Sequence, residues 1–261
     1  MCWQNGILAR SDSMPKFFVV SDIHSYYTPL KKVLDEKGFD TTNTDHWLVV
    51  CGDCFDRGDE SGLVLKFLMG LERKVIVKGN HDILLDECCM REFPYGHDRN
   101  NGTVKTIQDL GDMGMGYPFD ECCRTTWNKL ARYRELLVNY FETQNYIFVH
   151  SWIPIISQNY GCSKYDDDWR NATDDRWEQA MWGNPFDMHR LDLNQTGKTI
   201  VFGHWHCSAG HKMLGHCKDE FDNAIWEPCY AEGIIGIDRC TAYTGEVNVI
   251  VIEDEFIENI N

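Results

Sequence analysis

The chain has 261 residues, with 25 Lys and Arg against 41 Asp and Glu, a net charge of −16 at pH 7. A chain of this length buries a core without disulfide staples. The acidic excess excludes a duplex-DNA reader, which needs basic side chains to displace counterions, and a surface drawn to anionic membranes.

Residues 1–15 read as a weakly structured leader. They lack the apolar stretch of a signal peptide, and Met14, just before Pro15 and the first apolar run, is the expected natural start. Residues 16–21 (KFFVVS) form a short β-branched and aromatic run, the pattern of a buried strand. Residues 29–37 place Leu30, Val33 and Leu34 at helical spacing, closed by Gly38. Residues 46–51 (HWLVVC) predict a second strand, 61–70 a second helix through Leu63, Val64, Phe67 and Leu68, 74–78 (KVIVK) a third strand, and 83–90 a third helix. Strand and helix in alternation signal βαβ units with a parallel sheet.

The middle is less regular. Residues 94–118 are rich in Gly, Asn and Asp and read as loop with a short helix near 103–110. Residues 125–141 carry Trp127, Leu130, Tyr133, Leu136, Leu137 and Tyr140 at helical spacing. Residues 146–150 (YIFVH) and 199–203 (TIVFG) predict strands, as do 233–238 and 247–253, with a helix near 175–182. Residues 16–261 therefore read as one α/β domain with inserted loops near 92–124 and 157–197.

Five of these strands end in polar clusters. Asp22-Ile23-His24 follows the first, Gly52-Asp53-Cys54-Phe55-Asp56-Arg57-Gly58 the second and Gly79-Asn80-His81-Asp82 the third. His150 closes the fourth and Gly203-His204-Trp205-His206 the fifth. Open α/β sheets bind ligands outside the carboxyl ends of their strands, so these side chains belong to one rim. Carboxylate, imidazole and amide oxygen together suit two divalent ions, a device for phosphoryl transfer when the ions lie about 3.5–4 Å apart. Bound cations reverse the local sign of a site, so the net charge does not exclude a phosphorylated substrate.

The ordered series SDIH, GDCFDRGD, GNHD, a strand ending in VH, and GHWH resembles the calcineurin-like metallophosphoesterases. The GDxxDRG and GNHD forms are most similar to the phosphoprotein phosphatase branch, with its bacterial and phage serine/threonine phosphatases and diadenosine tetraphosphatases. The match spans about residues 16–253. The resemblance implies a four-layer α-β-β-α sandwich with a dimetal site at the strand rim. It implies that Asp22 and His24 hold the first metal, that Asp53 bridges both, and that Asn80, His150 and His204 hold the second. His206 would complete the first site, as in the broader phosphoesterases. The ions implied are Mn²⁺ or Fe²⁺, with Zn²⁺ a third candidate, and they would activate a bridging water for in-line attack on phosphorus. By the same resemblance Arg57 clamps phosphate oxygens, His81 gives the leaving group its proton, and Asp56 orients that imidazole. The stretch Met181-Trp182-Gly183-Asn184-Pro185-Phe186 resembles a segment that precedes a further phosphate-binding arginine, but Arg190 is poorly spaced for that part.

Other patterns have plainer readings. The 12 cysteines are too sparse for a secreted disulfide scaffold and read as free thiols of a cytoplasmic protein. Cys51 and Cys54 straddle Gly52-Asp53, which favours a strand end over a redox pair, with Cys54 exposed near the metals. His211, His216 and Cys217 match no zinc spacing and read as a surface hairpin or loop. Trp152, Tyr160, Tyr165, Trp169, Trp177 and Trp182 read as packing of the inserted segment, with stacking on a base or phosphopeptide as the alternative. Asp166-Asp167-Asp168 lacks a calcium-loop pattern and reads as solvated. Residues 253–261 read as an acidic tail or an edge segment.

The expected function is hydrolysis of a phosphoric ester on a phosphorylated protein or a small phosphoester, with phosphoserine or phosphothreonine substrates first. A dinucleoside polyphosphate hydrolase is the alternative. A nuclease lacks a basic stretch, and a silent binding module would have lost ligands that are all present.

Overall fold

The computed structural model describes residues 13–111, 117–157 and 163–257. Most of the leader, Tyr160 and the last four residues lie outside these. The first half runs β1 (Lys16–Val20), α1 (Tyr27–Glu36), β2 (His46–Cys51), α2 (Ser61–Gly70), β3 (Lys74–Val77) and α3 (Asn80–Arg91). The strands β1, β2 and β3 pair in parallel, with Phe18 beside Leu48 and Val49 beside Val75. Then come α4 (Gly96–Asn101), α5 (Thr103–Leu110), α6 (Phe119–Lys129), α7 (Ala131–Arg134) and β4 (Leu137–Val138), which joins β3 in parallel.

The second half runs β5 (Phe141–Glu142), β6 (Tyr146–Phe148), β7 (Ile155–Ser157), β8 (Ser163–Tyr165), α8 (Asp174–Ala180), α9 (Pro185–Arg190), β9 (Thr199–Phe202) and α10 (Cys207–Met213). It closes with β10 (Cys229–Ala231), β11 (Ile234–Gly236), α11 (Thr241–Thr244) and β12 (Val249–Glu253). The first sheet has the order β12-β1-β2-β3-β4 and the second β10-β11-β9-β6-β5. The strands β6, β9 and β11 are parallel, whereas β12 lies antiparallel to β1. The α/β class expected from the alternating pattern holds, with mixed rather than purely parallel sheets.

Strand alternation sorts the side chains. Phe18, Val20, Leu48, Val50 and Ile76 pack with helical residues such as Leu34, Val64, Leu68 and Leu85. Their neighbours Phe17, Val19, Val49, Cys51 and Val75 pack instead with Phe148, Val201, Ile235 and Ile237 of the second sheet. Residues on the other face of that sheet, Ile147, Ile200 and Phe202, meet Trp152, Trp169, Trp177 and Phe186. Burial on both faces explains the continuous apolar runs.

Several expectations need correction. The segment 94–118, read as loop with a short helix near 103–110, holds that helix as α5 and adds α4 before it. The helix read over 125–141 breaks after Lys129, because Leu137 and Val138 pair with β3 and Phe141 pairs with Phe148. Sheet pairing outweighs a helical spacing that continues past Leu130. Of the group read as a surface hairpin or loop, His211 is instead buried in α10, its Nδ1 3.0 Å from His216 Nδ1 and its Nε2 donating to the Glu227 carbonyl at 3.1 Å, whereas exposed His216 and half-buried Cys217 lie beyond the helix. Asp166 is buried against Arg176, to which it is hydrogen-bonded at 2.6 Å, so that end of the acidic run is not solvated. Among the described residues every cysteine is a free thiol, and no helix is long and apolar enough to cross a membrane.

Candidate active site

The segments after β1 and β2 are laced together before any side chain is considered. The His24 N–H donates to the Asp53 carbonyl at 3.0 Å, Ser25 N–H to the Cys54 carbonyl at 2.9 Å, and Gly58 N–H to the His24 carbonyl at 2.9 Å. The turns this requires are tight. Asp22, His24, Asp53, Asp56, Arg57 and His204 all have φ between 47° and 72°. Left-handed backbone at residues other than glycine is strained and concentrates at functional sites. Two glycines make room for the carboxylates: a Cβ at Gly79 would collide with Asp53 Oδ1, and one at Gly203 with Asp22 Oδ2.

Asp53 lies at the centre, 2% exposed. Its Oδ1 accepts the His81 N–H at 3.0 Å and lies 3.5 Å from His150 Nε2; its Oδ2 lies 3.8 Å from His24 Nε2 and 3.9 Å from His81 Nε2. Burial works against its ionisation, but His150, His81, His24 and His204 together hold its carboxyl below the usual carboxylate range. Asp22 lacks that support. Burial, and then the neighbouring Asp53, push its carboxyl up to about 7, and its Oδ2 accepts the His204 N–H at 2.9 Å.

The imidazoles are presented as lone-pair donors. His24 Nδ1 donates to the Phe55 carbonyl at 2.9 Å, and His150 Nδ1 to the Cys51 carbonyl at 3.0 Å. Such bonds fix the tautomer that turns Nε2 toward a metal. His150 Nε2 then lies 2.7 Å from Asn80 Oδ1 and 3.1 Å from His204 Nδ1, which is itself 3.1 Å from Asn80 Oδ1. Burial holds the imidazolium of His24 well below 6.5 and brings that of His204 down to about 3, so both rings are neutral near pH 7. With their lone pairs turned inward, these three atoms converge on a point where a cation could be held. The donor atoms of Asp53, His150 and His204 lie within 4.8 Å of one another, as do those of His24, Asp53 and His81. Asp22 Oδ1 lies 3.9 Å from His24 Nε2, so with His81 left to pair with Asp56, the sets Asp22, His24, Asp53 and Asp53, Asn80, His150, His204 would fit a pair of divalent ions.

His81 and Asp56 make the expected pair. His81 Nδ1 donates to Asp56 Oδ2 at 2.8 Å, and Asp56 is fully buried. Burial disfavours the imidazolium of His81, but Asp53 and Asp56 outweigh it and raise its pKa above 6.5. Arg57 Nη2 stands 3.3 Å from His81 Nε2. A cavity of about 180 Å³ opens here, and Asp22, His24, Asp53, Arg57, Asn80, His81 and His204 all reach its wall.

His206, expected as a first-site ligand, is not among the residues brought together here. Its Nδ1 accepts the Ala209 N–H at 3.2 Å as the cap of α10, and its ring packs on Phe221 and Trp226. The left-handed turn at His204 sends residues two apart to different places. Cys54 is fully buried rather than exposed, and burial pushes its thiol up. Of the aromatic group, Trp152, Trp169 and Trp177 are core, whereas Trp182 is 53% exposed, lines the cavity and meets the His204 ring edge-on at 6.3 Å.

Leu84, Asn101 and Asp238 also line the cavity and were not singled out from the sequence. Asp238 had a signal: it follows β11 at a strand end, as the five polar clusters do. Burial, and then Asp22, push its carboxyl well up, and it accepts the Cys240 N–H at 2.7 Å. Asn101 and Leu84 lie on helices with no such pattern.

A family model described as calcineurin-like phosphoesterase matches residues 15–208. The chain is 45% identical over 67 residues to a symmetrical bis(5'-nucleosyl)-tetraphosphatase of Aeromonas hydrophila, which is 25% of this chain and 24% of that protein. It is 32% identical over 99 residues to the enzyme of the same name from Legionella pneumophila, 37% of this chain and 35% of that protein. The chain thus spans about a quarter to a third of the length of these curated relatives. A cold-active protein-tyrosine phosphatase of a psychrophilic Shewanella shares the fold, with a TM-score of 0.55, 14% identity and coverage of 92% of this chain and 76% of that one.

Proposed function

We propose, from the premise that this chain belongs to the calcineurin-like phosphoesterases, a hydrolase family, that it cleaves phosphomonoesters at a dinuclear metal centre. The observation that carries this reading is the buried Asp53 carboxylate, set between two groups of lone-pair donors and faced by Arg57 and the His81–Asp56 pair. Asp22, His24 and Asp53 would hold one ion, and Asp53, Asn80, His150 and His204 would hold the other. Bound divalent ions supply polarisation of the phosphoryl oxygens and a water acidic enough to attack at neutral pH. Mn²⁺ or Fe²⁺ suits this mixture of oxygen and nitrogen ligands.

The chain's own groups do the rest. Arg57 leaves His81 to take two phosphoryl oxygens with its planar fork. His81, whose charged form burial opposes but Asp53 and Asp56 favour, would give its Nε2 proton to the departing alkoxide as the P–O bond breaks. Asp56 holds the ring through Nδ1. The small cavity with Arg57 at its wall suits one phosphoryl group, and phosphoserine or phosphothreonine in a protein is the substrate class proposed.

A second reading is favoured by the relatives named as symmetrical tetraphosphatases: a dinucleoside polyphosphate, with a base on the exposed Trp182. A panel of phosphoserine and phosphothreonine peptides, p-nitrophenyl phosphate and diadenosine tetraphosphate, run with Mn²⁺, separates them. Higher kcat/KM on the monoesters is expected. A large preference for the dinucleotide would replace the first reading with the second, and inertness toward all of them would sink both.

A further inference from the structure

We propose that Thr103, at the start of α5, is a positioning residue for the proton-donating pair, the third member of a Thr103–Asp56–His81 chain. The inference rests on His81 serving as the general acid. Thr103 Oγ1 donates to Asp56 Oδ2 at 2.7 Å, the same oxygen that accepts from His81 Nδ1 at 2.8 Å. Thr103 and Asp56 are both fully buried, so water does not compete for that oxygen. Asp56 Oδ1 has no hydrogen-bond partner among the described residues. The rotation of this carboxylate is therefore set by two donors on one oxygen, and His81 is one of the two. Without Thr103, the imidazole would be held by a carboxylate free to turn about its own Cβ–Cγ bond.

The surroundings show that α5 is built against this spot. Thr106, one turn on and on the same helix face, accepts the Asp56 N–H on its Oγ1 at 3.0 Å. Lys105 Nζ donates to the Arg57 carbonyl at 3.4 Å. Gly102 lies so close that a Cβ there would collide with the Arg57 backbone nitrogen. The Asp56-Arg57 dipeptide has left-handed backbone at both residues, with φ of 72° and 65°. The start of α5 thus secures the strained backbone, and Thr103 alone within it reaches the Asp56 carboxylate that His81 uses.

An acid that is poorly aimed matters most when the leaving oxygen is a strong base. Thr103→Val keeps the shape and removes the donor. In the metal-loaded enzyme we expect it to lower kcat about tenfold on a phosphoserine peptide, whose alkoxide needs the proton. On p-nitrophenyl phosphate, whose phenolate leaves unaided, the loss should stay under about threefold. KM and metal stoichiometry should match the parent, and Thr103→Ser, which restores the hydroxyl, should recover most of the peptide rate. An equal loss on both substrates, no loss on either, a change in bound metal, or failure of Thr103→Ser to recover the rate would each overturn the positioning role. Parent enzyme inactive on every monoester would instead overturn the proposed function, so the two failures are told apart.

Discussion

The rim of the first sheet carries Asp22, Asp53, Asp56 and Arg57 beside His24, Asn80 and His81, whereas the rim of the second carries His150 and His204 with Asp238 at its margin. The first side thus holds the carboxylates and proton-transfer groups, and most of the strained backbone; the second holds imidazoles, of which His204 is left-handed. The difference follows from how each side is supported. Turns after β1 and β2 hydrogen-bond to each other along their backbones, which offsets the cost of left-handed residues. His150 needs no such turn, because its Nδ1 crosses to the Cys51 carbonyl of the first sheet. Charge is kept where the backbone is locked, and the opposite sheet completes the ligand set through imidazoles.

The largest test of this division is Asp53→Asn, which removes the charge both sides share. At least one ion should be lost by elemental analysis, and kcat should fall by roughly 10³-fold or more, a few kcal/mol of transition-state stabilisation. Retention of both ions and full rate would break the comparison. His81→Asn touches only the first side's chemistry; kcat should drop about 10²–10⁴-fold with metal content nearly unchanged.

On the second side the expected effects are on stability. Glu142 of β5 accepts from Arg170 Nε at 2.8 Å and pairs with Lys198 Nζ at 2.9 Å. Burial opposes its ionisation, but these cations hold it below 4.5. A carboxyl with a depressed native pKa contributes stability above its unfolded value and loses it as pH falls through the native one. Denaturant unfolding of Glu142→Gln should show a deficit of about 1–2 kcal/mol at pH 7, discounted for the exposure of Arg170. That deficit should shrink below pH ~4; one independent of pH would assign it to packing. The smallest effect is expected from His206→Ala. Loss of its cap on α10 should cost about 1 kcal/mol in a thermal melt, with bound metal unchanged. Loss of an ion would return His206 to the centre.

The strand ends were readable because their signals are local. An apolar run closed by Asp-x-His or Gly-Asn-His states both the strand and the chemistry at its tip, and Asp22, His24, Asp53, Asn80, His81, His150 and His204 converge as that pattern implied. His206 stands apart from them, and the spacing His-x-His carries no record of the turn at His204. Thr103 and Asn101 gave no sign of their places, since Thr103 reaches Asp56 and Asn101 the cavity wall only through helices packed from distant parts of the chain. The helix expected over 125–141 failed for a related reason: periodicity describes a face, but β3 offered Leu137 and Val138 a strand partner.

The sequence by itself determined which residue types stand at the rim and in what order the strands deliver them, because strand periodicity and turn chemistry act within a few residues. Only the tertiary structure decided which histidine of the GHWH pair faces Asp53, which carboxylate joins Asp22, and what holds Asp56 in place. Those outcomes depend on backbone turns and on side chains brought together from far apart in the chain, and burial then sets their charge.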